Sequence, residues 1–305
     1  MPDRRVRGVR DSGSVGGYDL PTYLTSLGVG GVVMPGSLSW ECWPQNSTTS
    51  QVTAGAANTD GSADSTISAG EIARPYYVTH IAWAIDQSAI NVRWKVLEGT
   101  NTVRTLRGVS REDTVDPPML NRVNPPYQMA ANANTNVIIA TTGGGEAINY
   151  YLEIMKGTPV TLPVLMDRMP RQSQTVLPIG AVGADELEMV GPTTNAIPGA
   201  WGDYKEIDAG QTGPYLIYGV NVLRKQDQDN IMAFATGAEG AEVDWGTFGT
   251  PTMSSASNNS AIFYDLRPWP VYIPPSTRLS GRVQYVDGVA VPPVRALAYL
   301  HVILL

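Results

Sequence analysis

Cysteine is almost missing from this chain: Cys42 stands alone among 305 residues. One thiol excludes an intramolecular disulfide and any cysteine-rich zinc site. Histidine is nearly as scarce, with His80 and His301 only, so His-rich metal centres and Ser-His-Asp chemistry are poorly supplied. Charged residues make up 16% of the chain, against the ~25% usual for soluble domains. Long exposed helices need Glu, Lys and Arg on their outer faces, so a helical body is disfavoured. No run of about 20 apolar residues occurs, and no membrane-spanning segment is expected. The first residues carry charge without an apolar stretch of about 7–15 residues, which argues against a signal peptide.

What the chain does have is glycine (31), proline (23) and a Trp/Tyr-rich palette, seven Trp and fourteen Tyr against three Phe. Gly, Pro, Ser, Thr and Asn in quantity suit short strands joined by turns. Tyr and Trp bury a ring while keeping a polar tip wet, as interfaces require. The length suffices for two domains, each with its own core.

Two stretches look like versions of each other, residues 74–156 and 213–305. The first opens Pro75-Tyr76-Tyr77-Val78 and closes Tyr151-Leu152-Glu153-Ile154; the second opens Pro214-Tyr215-Leu216-Ile217 and closes Tyr299-Leu300-His301-Val302. The openings are offset by 139 positions and the closings by 148, a difference that loops absorb easily. The reading is all-β: two tandem jelly-roll-like β-sandwich domains with an extended N-terminal arm. Residues 1–28 form the basic arm and linker, 29–163 the first sandwich, 164–212 a Pro/Gly-rich linker and 213–305 the second sandwich.

The strand patterns follow from alternation. Residues 38–43 place Leu38, Trp40 and Cys42 on one side, which makes Cys42 a small core residue rather than a nucleophile. A long polar loop over 45–70 holds one edge strand near Thr66-Ile67-Ser68. Residues 76–85 and 90–97 are strands, with Ile90, Val92, Trp94 and Val96 alternating against Asn91, Arg93 and Lys95. His80 reads as a strand residue packed at an edge. Residues 98–126 read as irregular, because Asp116-Pro117-Pro118 and Asn124-Pro125-Pro126 oppose regular structure. Thr142-Gly143-Gly144-Gly145 between two apolar runs has a hairpin signature; it is no phosphate loop, since neither Lys-Ser/Thr nor a helical pattern follows. In the second half, strands are expected over 215–223, 230–235, 261–266, 269–273, 279–286 and 296–305, with a loop over 237–259 and the last strand central in its sheet.

No candidate chemistry stands out. Asp60-Gly61-Ser62-Ala63-Asp64 lacks the closing Glu of a calcium loop, and Asp185-Glu186-Leu187-Glu188 reads as a solvated face. No catalytic, cofactor or metal residue is assigned, and the protein is expected to be non-enzymatic. The charge is unevenly placed. Net charge is −7, yet Arg4, Arg5, Arg7 and Arg10 lie in the first ten residues, with Asp3 as the one acid, and the rest is near −10. An acidic body argues against broad nucleic-acid binding. The four arginines are the candidate partner-binding residues, docking an acidic protein surface or making a weak, salt-sensitive nucleic-acid contact.

Ile273-Pro274-Pro275-Ser276-Thr277-Arg278-Leu279-Ser280-Gly281-Arg282 resembles a pattern of tailed-bacteriophage virion proteins, in which an Ile-Pro-x-Gly-Ser/Thr-Arg-Leu/Ile turn leads into a strand of a jelly-roll-like sandwich. This chain departs from it at Pro275-Ser276, and the first half keeps only its outline over 129–139. The resemblance implies a structural particle protein, a capsid decoration or cement protein or a minor capsid component. Such a protein is found in the virion after assembly in the host cytoplasm, as a homo-oligomer (trimers being common in the group), and its partners are the major capsid protein or other virion proteins. It transfers no catalytic residue. The alternative is a tail or head fibre module binding host-surface glycans, with Trp245 and Trp269 on loops to stack on sugar rings; a polysaccharide-degrading enzyme is the third reading.

Overall fold

The computed structural model describes residues 14–15, 18–19, 39–45, 50–85, 90–110, 119–156, 174–178, 200–224, 230–251, 260–267, 269–285 and 296–304. All regular structure there is strand. Two short strands come first, β1 (Ser14–Val15) and β2 (Tyr18–Asp19). The first half then runs β3 (Trp40–Trp43), β4 (Ser50–Thr53), β5 (Asp64–Ile67), β6 (Tyr76–Ala84), β7 (Asn91–Glu98), β8 (Asn101–Val109), β9 (Met119–Met129), β10 (Thr135–Thr141) and β11 (Ala147–Met155). The second half runs β12 (Gln174–Pro178), β13 (Lys205–Asp208), β14 (Tyr215–Arg224), β15 (Asn230–Thr236), β16 (Val243–Thr250), β17 (Ser260–Asp265), β18 (Val271–Ile273), β19 (Leu279–Tyr285) and β20 (Ala296–Leu304).

Each half is a two-sheet, jelly-roll-like sandwich, and the two repeat one another strand by strand. In the first, β5-β10-β7-β8 packs against β11-β6-β9; in the second, β13-β19-β15-β16 packs against β12-β20-β14-β17. The repeat reaches individual residues. Tyr76 pairs with Met129 as Tyr215 pairs with Ile273, and Leu152 pairs with Ile81 as Leu300 pairs with Val220. Both β6 and β14 skip a residue at the same place, between Val78 and His80 and between Ile217 and Gly219. A bulge of this kind re-aims the strand beyond it. The sequence offsets of 139 and 148 are therefore structural equivalences.

Two cores result. Val92, Trp94 and Val96 of β7 meet Val78, Ile81 and Trp83 of β6 and Tyr150, Leu152 and Ile154 of β11 inside the first sandwich. The second core holds β14, β15, β16, β17, β18, β19 and β20, but it also takes Trp40, Cys42, Ala82, Tyr151 and Met155 from the first half. The reason is a shared sheet. β3 lies between β11 and β16, so β13-β19-β15-β16-β3-β11-β6-β9 is continuous. The two small sheets cover opposite faces of it and overlap at β11 and β6. Side chains alternate across a strand, so Tyr150 faces one core and Tyr151 the other. This is why Tyr150 to Met155 is an almost unbroken apolar run, as strands buried on both faces are.

Several expectations are corrected. Residues 98–126 are not irregular: β8 and much of β9 lie there. β9 is an edge strand that tolerates Pro125 and Pro126, because its register jumps from Tyr127 to Arg122 opposite Val78 and His80, and prolines sit in edges and excursions of this kind. The glycine turn does not close a hairpin. β10 pairs with β7 and β5, whereas β11 pairs with β3, β4 and β6, so residues 142–146 cross between sheets. Gly144 there has φ 85° and a Cβ would lie 2.3 Å from Ala57 N, which explains the glycine. The expected loop over 237–259 contains β16. Within 164–212, β12 pairs with β20 and β13 with β19. β20 is central, between β12 and β14, as expected.

Candidate functional site

Four chemistry-bearing side chains form one row where the halves meet. Cys42 pairs with Glu153, Glu153 with His80, and His80 with Arg122, across β3, β11, β6 and β9. Register partners project to the same face, and this face is turned toward the second sandwich. From there β17 brings Tyr264, whose ring meets the His80 ring edge-on at 5.8 Å, and Asp265. His80 is thus one strand in from the edge β9 and buried, a correction to the edge position read from its sequence.

The row is sealed. Cys42 and Tyr264 have no exposed surface, and His80 and Glu153 show 2% or less. Burial pushes the Cys42 thiol well up, helped by the neighbouring Glu153 charge. Burial, with the charge of Glu41 added, raises Glu153 well above the carboxylate range. Burial also lowers His80, and the Arg122 charge adds to it, down to about 3. Neutral forms are what a low-dielectric interior selects. Both Glu153 carboxyl oxygens and His80 Nε2 lack a hydrogen-bond partner, while His80 Nδ1 lies 3.1 Å from Thr79 Oγ1. Chemically this row can hold two sheets together; a substrate reaches it only if they part.

The open end of the row is ionic. Arg122 Nη1 donates to Asp265 Oδ2 at 2.7 Å, and Arg122 Nη2 to the Arg267 carbonyl at 2.9 Å. Arg267 grips the same carboxylate through Nε at 2.8 Å and Nη2 at 2.9 Å. Burial alone would raise Asp265, but these bonds and both guanidinium charges outweigh it and hold it low. At the other end, the Cys42 amide donates to Thr247 Oγ1 at 3.1 Å and the Ser39 amide to the Trp245 carbonyl at 3.0 Å, tying β3 to β16.

Two outer faces differ in how their arginines are served. On β13-β19-β15-β16, Arg282 lies over Trp201 at 4.7 Å and Tyr204 at 4.4 Å and pairs with Asp244. Burial, with a hydrogen bond to Asp244, pushes the Tyr204 phenol up to about 12. Arg278 pairs with Glu206 at 3.0 Å and Glu242 at 2.8 Å. The equivalent face of the first sandwich, β5-β10-β7-β8, carries a cleft of about 500 Å³ lined by Asn58, Asn91, Arg93, Arg107, Val109 and Thr142 among others. Arg93 and Arg107 are register partners there. Asp60 bonds Lys95 and, at 2.8 Å, Arg93 Nη2. The Lys95 hydrogen bond, against burial and with help from Arg93, lowers its carboxyl.

Arg4, Arg5, Arg7 and Arg10 lie outside the described residues, as does Asp185-Glu186-Leu187-Glu188. Trp245 is a core residue of β16 stacked on Phe234 at 5.5 Å, not a loop residue, whereas Trp269 lies half-buried between β17 and β18 and packs on Tyr77 at 4.6 Å. Asp60, weighed as a calcium ligand, is taken up by two cations. Arg107 lies on β8, inside the stretch whose prolines suggest irregular chain, so the alternating Arg93 is the half of the cleft that the sequence signals. Glu153, a lone acid inside an apolar run, was the signal for the seam.

The fold class is thus that of tandem jelly-roll-like sandwiches. No protein-family model and no curated protein sequence matches the chain. Solved structures similar to it include a cryo-EM structure of Broad Bean Stain Virus, 9% identical over 90% of this chain and 90% of that one, with a TM-score of 0.23. The tandem CBM22-1-CBM22-2 domain of Paenibacillus barcinonensis Xyn10C is 9% identical over 83% and 86%, with a TM-score of 0.23. Infectious bursal disease virus, Gx strain, is 11% identical over 88% and 68%, with a TM-score of 0.22. Scores this low carry no argument, and function is inferred from the chain's own residues.

Proposed function

We propose that this chain is a non-enzymatic structural protein of a tailed-bacteriophage particle, a capsid decoration or cement protein or a minor capsid protein. It binds the major capsid protein or another virion protein, and it joins the particle in the host cytoplasm. The observation that carries this reading is the use made of the reactive side chains. Cys42, His80 and Glu153 are sealed between two sandwiches, where they serve one two-unit block rather than a substrate. A block of this kind presents wide, weakly charged β-surfaces to its neighbours, and the basic first ten residues supply an arm of opposite sign to its acidic body. Arg4, Arg5, Arg7 and Arg10 are the residues assigned to that contact.

The test is particle association. Purified protein added to capsid shells that lack it is expected to co-sediment saturably and to be released by salt, since contacts of exposed charges are screened within about 10 Å at 0.1 M. Deleting residues 1–17 is expected to weaken that binding while leaving the melting temperature unchanged. Absence of saturable binding to shells, with a stable soluble oligomer instead, would overturn the decoration role; unchanged binding after the deletion would overturn the arm.

A further inference from the structure

The cleft on the first sandwich holds more hydrogen-bond donors than the protein uses. Arg93 and Arg107 stand opposite one another on β7 and β8, and like charges directly opposite in a strand pair repel. Asp60 answers Arg93 and Lys95, which leaves Arg107 without a carboxylate among the described residues. The side-chain amides of Asn58 and Asn91 make no hydrogen bond among the described residues either. On the sister face Arg278 and Arg282 are each met by acids, and Arg282 is also stacked on aromatic rings; in the cleft Arg93 is met by Asp60, and Arg107 alone faces solvent without an acid among the described residues.

We infer that this cleft binds a small acidic saccharide, one or two sugar units bearing a carboxylate. The oxyanion lies between the Arg93 and Arg107 guanidinium groups, and the sugar hydroxyls meet the amides of Asn58 and Asn91. Guanidinium forks match carboxylates in two-pronged fashion, and an anion placed there relieves the repulsion between the two arginines. A volume of about 500 Å³ is that of a small-molecule site. Exposed Val109, at 60% accessible, gives the rim an apolar patch for the ring face. The site is independent of the virion reading, since its ligand is read in free protein and the capsid contact on shells.

The experiment is calorimetric titration of the full chain with glucuronate, with glucose as the uncharged control and inorganic phosphate as the free-oxyanion control. Saturable glucuronate binding that weakens with salt is expected, with glucose silent and phosphate weaker than glucuronate. Arg107→Gln, an exposed position on an edge strand, is expected to weaken glucuronate at least roughly tenfold, the loss of one charge-assisted pair. Circular dichroism of that variant should match the parent. Equal binding of glucose, unchanged affinity in Arg107→Gln, or no saturable glucuronate binding would each overturn the site. Phosphate binding as tight as glucuronate would overturn its assignment to a sugar.

Discussion

Glu153 and His80 face one another across β6 and β11, and they set opposite pH limits on the same seam. Glu153 titrates higher folded than its ordinary 4.5. Its contribution is fully present below about pH 4.5 and is lost as pH rises toward the folded value, by about 1.4 kcal/mol per pH unit. His80 is lowered from 6.5 to about 3, so its contribution is present above 6.5 and is lost as pH falls toward 3, at the same slope. From about pH 4.5 upward the two slopes oppose one another. Thermal melts against pH should therefore be flattest from this pair just above pH 4.5, with a fall on the acid side from His80 and on the alkaline side from Glu153. Glu153→Gln is expected to gain in melting temperature over the parent progressively as pH rises above about 4.5. His80→Gln should flatten the acid limb and leave the Glu153 decline uncompensated from about pH 4.5 upward. A gain for Glu153→Gln that does not change with pH would contradict a buried, protonated acid.

Among the elements, β3 and β16 decide whether the halves hold together. Gly249 on β16 lies under the Tyr151 ring, where an added Cβ would come within 2.6 Å, and its carbonyl accepts the Tyr264 hydroxyl. Gly249→Ala is expected to lower stability by about 1–3 kcal/mol, the usual cost of overpacking, measured by urea denaturation. Strand patterns built on strict alternation were legible, as in β7, because one buried face leaves a period of two. The repeat at offsets 139 and 148 was legible for the same reason. What could not be read was partnership. Pro125 and Pro126 look forbidding until β9 is seen to be an edge, and the glycines at 143–145 signal a reversal without saying that β10 and β11 part into different sheets. β16, with Gly246 and Gly249 inside it, carries a weak strand signal because its glycines make room for Phe248 and Tyr151 rings. The donor-rich cleft needed the pairing of Arg93 with Arg107, two strands that alternation alone does not join.

For the whole molecule, a core that draws Trp40, Cys42, Tyr151 and Met155 into the second sandwich means that the halves are not independent. A single calorimetric transition is expected, with matching calorimetric and van't Hoff enthalpies. A fragment of residues 200–305 should lack a cooperative melt, since part of its core is missing; two resolved transitions, or a well-folded fragment, would contradict this.

The same dependence has a temporal side during synthesis. Once residue 156 has left the ribosome, the first sandwich can close over its own core, but Trp40, Cys42, Tyr151 and Met155 still have nothing to cover them. Gly249, beneath the Tyr151 ring, comes later from β16, and Leu300 and Val302, which complete the core they join, later still. At roughly 5–20 residues per second, that core stays unfinished for on the order of ten seconds. The nascent protein thus passes through a sticky, half-finished stage in which a chaperone, or a second nascent chain, competes with its own C-terminal strand.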